Sequence, residues 1–211
     1  MKHLLIIGAG GFGREAYGVA CDAVGYGTEF DVKGFLDANP RALDGFRGYP
    51  AILGDPATYV PDADDVFVTA LGSVAARRAC VAAIAAKGGR FVPVVHRSAW
   101  LGPNVTVGDG AFISNNVVLT ADVAVGRHAC IFQGTSVGHD AVLGDFSHVY
   151  AQCALGGGVK VGEGASVYPG AVVVPRRTIG AGAVVGAGST VILNVPPGVT
   201  VFGNPAKPIE E

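Results

Sequence analysis

The chain predicts two folds in series. A small, Rossmann-like parallel α/β sheet occupies residues 1–94, a parallel β-helix of hexapeptide repeats occupies 95–194, and a cap or tail fills 195–211. Three observations carry this. Sixteen aliphatic residues recur every six positions without a miss, from Leu101, Val107 and Ile113 through to Ile179, Val185 and Val191. Gly follows the aliphatic in nine of these hexads, and the position two before it is mostly small, as in Ala111, Ala129, Ala141, Cys153 and Ser189. Residues 1–93 lack that period and alternate strand and helix signals instead. A fixed short period marks a repeat architecture. Three flat faces of six residues close a coil of eighteen: the aliphatic fills the interior, the small residue fits the corner, and Gly is expected to ease the turn between faces.

The first part reads element by element. Strand one is His3 to Ile7, and the turn GAGGFGRE leads into a helix of about a dozen residues with Ala16, Val19, Ala20 and Ala23 on one face. Strand two is Val32 to Leu36, ending at Asp37, and a polar stretch with Pro40, Pro50, Pro56 and Pro61 follows. Strand three is Val66 to Ala70, the next helix Val74 to Lys87, and strand four Phe91 to Val95. Such alternation predicts a parallel sheet with helices on both faces. The hexads begin after Pro93 to Trp100 with no Ser/Gly linker, and VPPGVTVFGNPAKPIEE, past Val191, is expected to cover the open end of the coil.

Composition excludes several classes. Half of the 211 residues are hydrophobic, 15% are charged, and the net charge is −2, which is not the basic footprint of a nucleic-acid binder. The apolar run in MKHLLIIGAGG is about five residues, too short for a secretory segment, and no stretch approaches a membrane span. Cys21, Cys80, Cys130 and Cys153 form neither a disulfide framework nor a zinc motif, so a reducing cytoplasm is the expected compartment.

GAGGFG places Gly8, Gly10 and Gly13 in a G-x-G-x-x-G pattern after a strand and before a helix, the context for phosphate at a helix N-terminus. Asp37, 24 residues past Gly13, is placed to accept from a ribose or base. The half-sheet is too short for a full dinucleotide fold, which favours a mononucleotide carrier such as a nucleotide-linked sugar. A tight turn with a helix cap is the plainer alternative. Gly72 and Ser73 lie at the same carboxyl edge, where ligands bind in such sheets. Arg77, one turn on, either meets a phosphate or belongs to a solvated helix face.

Five histidines are present. His3 and His96 fall near strand ends. His128, His139 and His148 lie in the repeat, none at the inward position, so each is expected to point outward or toward a neighbouring subunit. Residues eighteen apart stack, which puts Gly156-Gly157-Gly158 over Gly138-His139-Asp140. Side chains are therefore missing just above His139. An imidazole there can take a proton, a free backbone N–H can hold a developing oxyanion, and Asp140 can orient the ring. The plain alternative is a surface His–Asp pair in a Gly-rich turn. Cys153, at the inward small position, reads as packing rather than as a nucleophile. Phe132, Tyr150 and Tyr168 form an outward column read as a subunit interface or a platform for adenine.

On GAGGFGRE, FLDA around Asp37, HRSAWLGP, SVGHDAVLGDFSHVYAQCALGGGVKVGEG and the tail GNPAK, the whole chain resembles the hexapeptide-repeat acyltransferases. It is most similar to the sialic-acid O-acetyltransferase-like group, and within it to N-acetyltransferases of nucleotide-linked 4-amino-4,6-dideoxy sugars of bacillosamine or perosamine type. The resemblance implies a left-handed coil, acetyl-CoA as cosubstrate with no metal, and a homotrimer holding acetyl-CoA between neighbouring β-helices. It implies His139 as general base supported by Asp140, and Gly157 N–H on the thioester carbonyl. His148 and Lys207 are implied to lie at acetyl-CoA, and Gly8, Gly10, Gly11, Phe12, Gly13, Arg14, Asp37, Gly72, Ser73 and Arg77 around the nucleotide sugar. Two departures stand out: relatives often carry His where this chain has Phe12, and Glu where it has Asp140.

The rivals are sugar O-acetylation of sialic-acid type, a γ-carbonic-anhydrase-like metal enzyme, and a non-catalytic scaffold. The metal enzyme needs three converging His ligands. Spacings of eleven from His128 to His139 and nine to His148 do not resemble that family's close His pair.

Overall fold

The computed structural model describes residues 1–209 and divides into two compact units, Met1–Arg97 and a second beginning at Ser98. In the first, β1 (Lys2–Ile7), α1 (Gly11–Cys21), β2 (Phe30–Leu36), β3 (Asp65–Thr69), α2 (Val74–Ala85) and β4 (Arg90–Phe91) build a parallel sheet of order β2-β1-β3-β4. β1 pairs β2 on one side and β3 on the other, and Leu4 to Ile7 are buried on both faces, as a covered parallel sheet requires. Leu5, Ile7, Leu36, Phe67 and Ile84 form the core beneath α2, with Tyr59, Leu71, Cys80 and Phe91 packed against it. α1 buries Gly13, Ala16, Val19 and Ala20. α2 is capped by Ser73, whose Oγ accepts from Ala76 N–H at 3.3 Å. The expected strand Phe91 to Val95 is interrupted: Arg90–Phe91 and Val94–Val95 are separate strands around Pro93, which has no N–H to give a ladder.

The second unit is a left-handed parallel β-helix. Two-residue strands pair with those eighteen residues away, as Cys130–Ile131 does with Phe112–Ile113 and with His148–Val149. From Ile113 to Val191 every sixth aliphatic is buried, each contributing roughly 1.5–3 kcal/mol of hydrophobic stabilisation. Leu101 and Val107, in the first coil, are only half-covered.

The reason for the glycines differs from the expectation. The turn position is the third residue after the aliphatic, where φ is 55–61° at Asn104, Asn116, Asp122, His128, Asp140, Phe146, Gln152 and Arg176, and 65–71° at glycines such as Gly158 and Gly182. The glycine directly after the aliphatic serves close approach instead. A Cβ on Gly108, Gly126 or Gly144 would lie 2.6–2.8 Å from a backbone nitrogen of the next coil. Past Val191 the buried column continues through Val195 and Val201, and Thr200–Phe202 pairs with Val184–Val185 before Lys207–Pro208 folds back antiparallel.

Candidate functional site

Three residues anticipated in the second unit come together. His139 and Asp140 are both exposed, their side chains 70% and 66% accessible, and His139 Nδ1 lies 2.7 Å from Asp140 Oδ2. A carboxylate only accepts, so Nδ1–H donates, and in the neutral ring the lone pair lies on Nε2 at the far edge. That edge faces Gly157: a Cβ on Gly157 would sit 2.6 Å from Nε2 and 2.8 Å from Cε1.

The three glycines above the pair have three different causes. A Cβ on Gly156 would strike Pro175 of the next coil, and Gly158 takes the left-handed turn conformation (φ +68°). Gly157 does neither. Its position is filled elsewhere by Ala121, Ala151, Ala181 and larger residues, and Gly157 is the one glycine there in the sixteen hexads. The coil does not require it; the imidazole beneath it does. Its N–H makes no hydrogen bond among the described residues.

The other repeat histidines are covered by neighbouring rings rather than open to solvent. His128 is buried and stacks on Phe146 with ring centroids 4.8 Å apart. His148, 1% exposed, stacks on both Phe132 at 5.0 Å and Tyr150 at 4.2 Å, which also stack on each other at 5.6 Å. Rings on successive coils overlay one another and roof the outward positions. Both ring nitrogens of His148 are covered within the chain, and its place at acetyl-CoA stands as a proposal. The column Phe132, Tyr150, Tyr168 is stacked as anticipated, but Phe132 is buried within one chain, partly by Phe112, and Tyr168 is its exposed end. Cys153 is inward, its thiol pushed up to about 11 by burial, which leaves it un-ionised near neutrality. Lys207 is exposed on the last strand.

In the first unit the glycine turn separates by cause as well. Gly8 has φ +105°, and a Cβ there would lie 2.6 Å from Ala70 O; a Cβ on Gly13 would strike Gly8 O. Gly10 and Gly11 face open space. α1 therefore begins with bare backbone that the fold does not demand. Asp37 fastens this turn, Oδ2 accepting from Ala9 N–H and Oδ1 from Asn39 N–H, both at 2.8 Å. Arg14 lies over the Phe46 ring, Cζ 3.6 Å from its centroid, and Phe12 is half-buried. Gly72 is open and Ser73 serves as the helix cap. Arg77 is fully buried in α2 and does not lie on a solvated face.

A cavity of about 300 Å³ opens at the carboxyl ends of β1 and β2 against α2. Gly8 and Asp37 line it, with Asp55 and Cys80, which sequence reasoning passed over. The Asp55-Pro56 pair was the available signal, an aspartate opening a turn. Burial, and then the fields of Asp55 and Asp37, raise the Cys80 thiol, which places both carboxylates beside one cavity wall.

Bare main chain over an exposed, carboxylate-oriented imidazole on a hexapeptide coil is the apparatus of an acyltransferase. Residues 3–84 match the family model of the PglD N-terminal domain, and residues 92–183 that of the GMPPB C-terminal domain. The acetyltransferase domain of PglB from Neisseria gonorrhoeae FA1090, solved also in complex with acetyl coenzyme A, is 28% identical, with 99% of this chain and 100% of that one covered and a TM-score of 0.89. Perosamine N-acetyltransferase from Caulobacter crescentus, solved as a histidine-to-asparagine variant with CoA and GDP-perosamine, is 30% identical over 100% of this chain and 98% of that one, TM-score 0.86. WeeI from Acinetobacter baumannii AYE is 25% identical over 99% and 100%, TM-score 0.85. The chain belongs to the hexapeptide-repeat acyltransferases, in the nucleotide-amino-sugar N-acetyltransferase family. Among the described residues no helix is long and apolar enough to cross a membrane.

Proposed function

We propose that the protein transfers the acetyl group of acetyl-CoA to the 4-amino group of a nucleotide-linked 4-amino-4,6-dideoxy sugar, of GDP-perosamine or UDP-bacillosamine-precursor type. The observation that carries it is the fit of Gly157 over His139, where the backbone is stripped of the one Cβ that would collide with Nε2. Relatives solved with acetyl coenzyme A, and with CoA and GDP-perosamine, support the choice of substrates.

The sugar amine attacks the thioester carbonyl carbon. His139 Nε2 takes the amine proton as the C–N bond forms, and Asp140 steadies the resulting imidazolium through Nδ1–H. The Gly157 N–H donates to the carbonyl oxygen as it becomes an oxyanion. Collapse of the tetrahedral intermediate expels the CoA thiolate, to which the imidazolium returns the proton. In the first unit, Gly10 and Gly11 at the start of α1 offer N–H groups to the nucleotide phosphates, with Asp37 fixing the turn. The enzyme works in the cytoplasm as a homotrimer, consistent with four cysteines that form no disulfide among the described residues and with exposed apolar side chains such as Tyr168, Val142 and Val172 on the coil.

The test is thiol release from acetyl-CoA with a panel of nucleotide-linked sugars that carry either an amine or a hydroxyl at carbon 4. The reading expects release with the amines alone. Release with the hydroxyl sugars and not the amines would replace it with O-acetylation, and release with neither would leave no acetyl transfer to a nucleotide sugar.

A further inference from the structure

The cavity of the first unit is walled chiefly by aliphatic groups, among them Ile7, Leu36, Leu71 and Ala83, and no cation lines it. Its two carboxylates are not equivalent. Both oxygens of Asp37 already accept backbone N–H groups. Asp55 Oδ1 accepts from Ala57 N–H at 2.8 Å, while Oδ2 has no hydrogen-bond partner among the described residues. Asp55 is also held still. Its carbonyl accepts from Tyr59 N–H at 2.8 Å, and Lys87 Nζ donates to the carbonyls of Pro56 and Ala57 at 3.1 and 2.7 Å. A fixed carboxylate with spare acceptor capacity at an apolar slot suits a flat ligand bearing N–H donors.

On the nucleotide-sugar reading above, we propose that this cavity takes the nucleobase, that the base is guanine, and that Asp55 selects it. Guanine presents N1–H and an exocyclic N2–H side by side, matched to a carboxylate whose Oδ2 is open and whose Oδ1, accepting once, keeps a second lone pair. Uracil presents a single N–H flanked by two carbonyl oxygens that a carboxylate repels, and adenine and cytosine set one amine beside an acceptor nitrogen. Asp37, engaged with the glycine turn, is left to the ribose and does not discriminate.

Titration calorimetry of the full chain with GDP, IDP and UDP tests this, alongside Asp55→Asn. Asparagine keeps an oxygen for Ala57 N–H but turns an amide donor toward the guanine donors. In the unaltered protein GDP is expected to bind about 5- to 150-fold more tightly than IDP, which lacks the exocyclic amine, and than UDP, the range a good bidentate base contact discriminates. In Asp55→Asn the GDP advantage disappears, and UDP, no longer facing a carboxylate, binds at least as tightly as before. GDP binding no better than IDP and UDP overturns the guanine assignment and leaves the nucleotide reading intact. Equal loss of all three nucleotides in the variant makes Asp55 a ribose or wall contact and overturns its selective role. Binding of no nucleotide overturns the nucleotide reading itself. The GDP–IDP comparison needs no variant and stands if Asp55→Asn fails to fold.

Discussion

At the scale of single residues, the account turns on what is missing above His139. Ala121, Ala151 and Ala181 occupy the position of Gly157 in other coils, so alanine is compatible with the backbone there. Gly157→Ala is therefore expected to leave thermal stability within about 1 kcal/mol while its methyl, 2.6 Å from Nε2, turns the imidazole away. We expect kcat to fall at least tenfold, a displacement effect of the size that small misplacements produce. An unchanged kcat would mean that the ring does not act from beneath Gly157. The stacking of Gly157 over His139 was legible in the sequence, because a coil of eighteen turns spacing into contact. The burial of His128 and His148 was not, since it depends on how closely the rings beside them pack, which the spacing of the outward column Phe132, Tyr150 and Tyr168 does not state.

At the scale of the element, two kinds of glycine do different work. Gly126 stands where a Cβ would lie 2.6 Å from the backbone nitrogen of Asp145, which cannot yield without parting two coils. Gly188, by contrast, has φ +65° with open space around it, at a position where Asn104 and Asn116 adopt the same conformation. Gly126→Ala should destabilise by roughly 1–3 kcal/mol, as overpacking does, and Gly188→Asn by well under 1 kcal/mol. Denaturant midpoints of the two variants give the comparison, and equal shifts would refute the division. The coil was readable because one buried aliphatic per face is a demand of geometry. The two roles of glycine were not, since both appear in the sequence as the same letter.

Across the whole molecule, acid stability follows from carboxylates held below their usual range in each unit. Burial alone would raise Asp65, but Lys33 Nζ at 2.7 Å, Asp62 N–H and the Tyr59 hydroxyl at 2.7 Å outweigh it and lower it. Burial likewise opposes a net lowering of Asp145, which Arg127 holds down. A carboxyl with a depressed folded-state pKa contributes stability that is fully present above its unfolded value, about 4, and is lost as pH falls through the folded value. Unfolding midpoints measured from pH 7 to pH 2 should stay level to about pH 5 and drop below pH 4, with a shallower drop in Asp65→Asn. A loss beginning near pH 6 would point to histidines instead. The parallel sheet was legible from alternating strand and helix signals. The cavity beside Asp55 was not, because it depends on a proline-rich excursion that returns to β2 through Leu53 N–H and Phe35 O, a pairing no local pattern announces.

The central claim is that His139 Nε2 accepts the proton of the attacking amine. Steady-state acetyl transfer by His139→Asn, with the nucleotide amino sugar and acetyl-CoA each varied, tests it most directly. Loss of a positioned base predicts a fall in kcat of about 10²- to 10⁴-fold with KM for the sugar changed little. A kcat equal to that of the unaltered protein would contradict the mechanism.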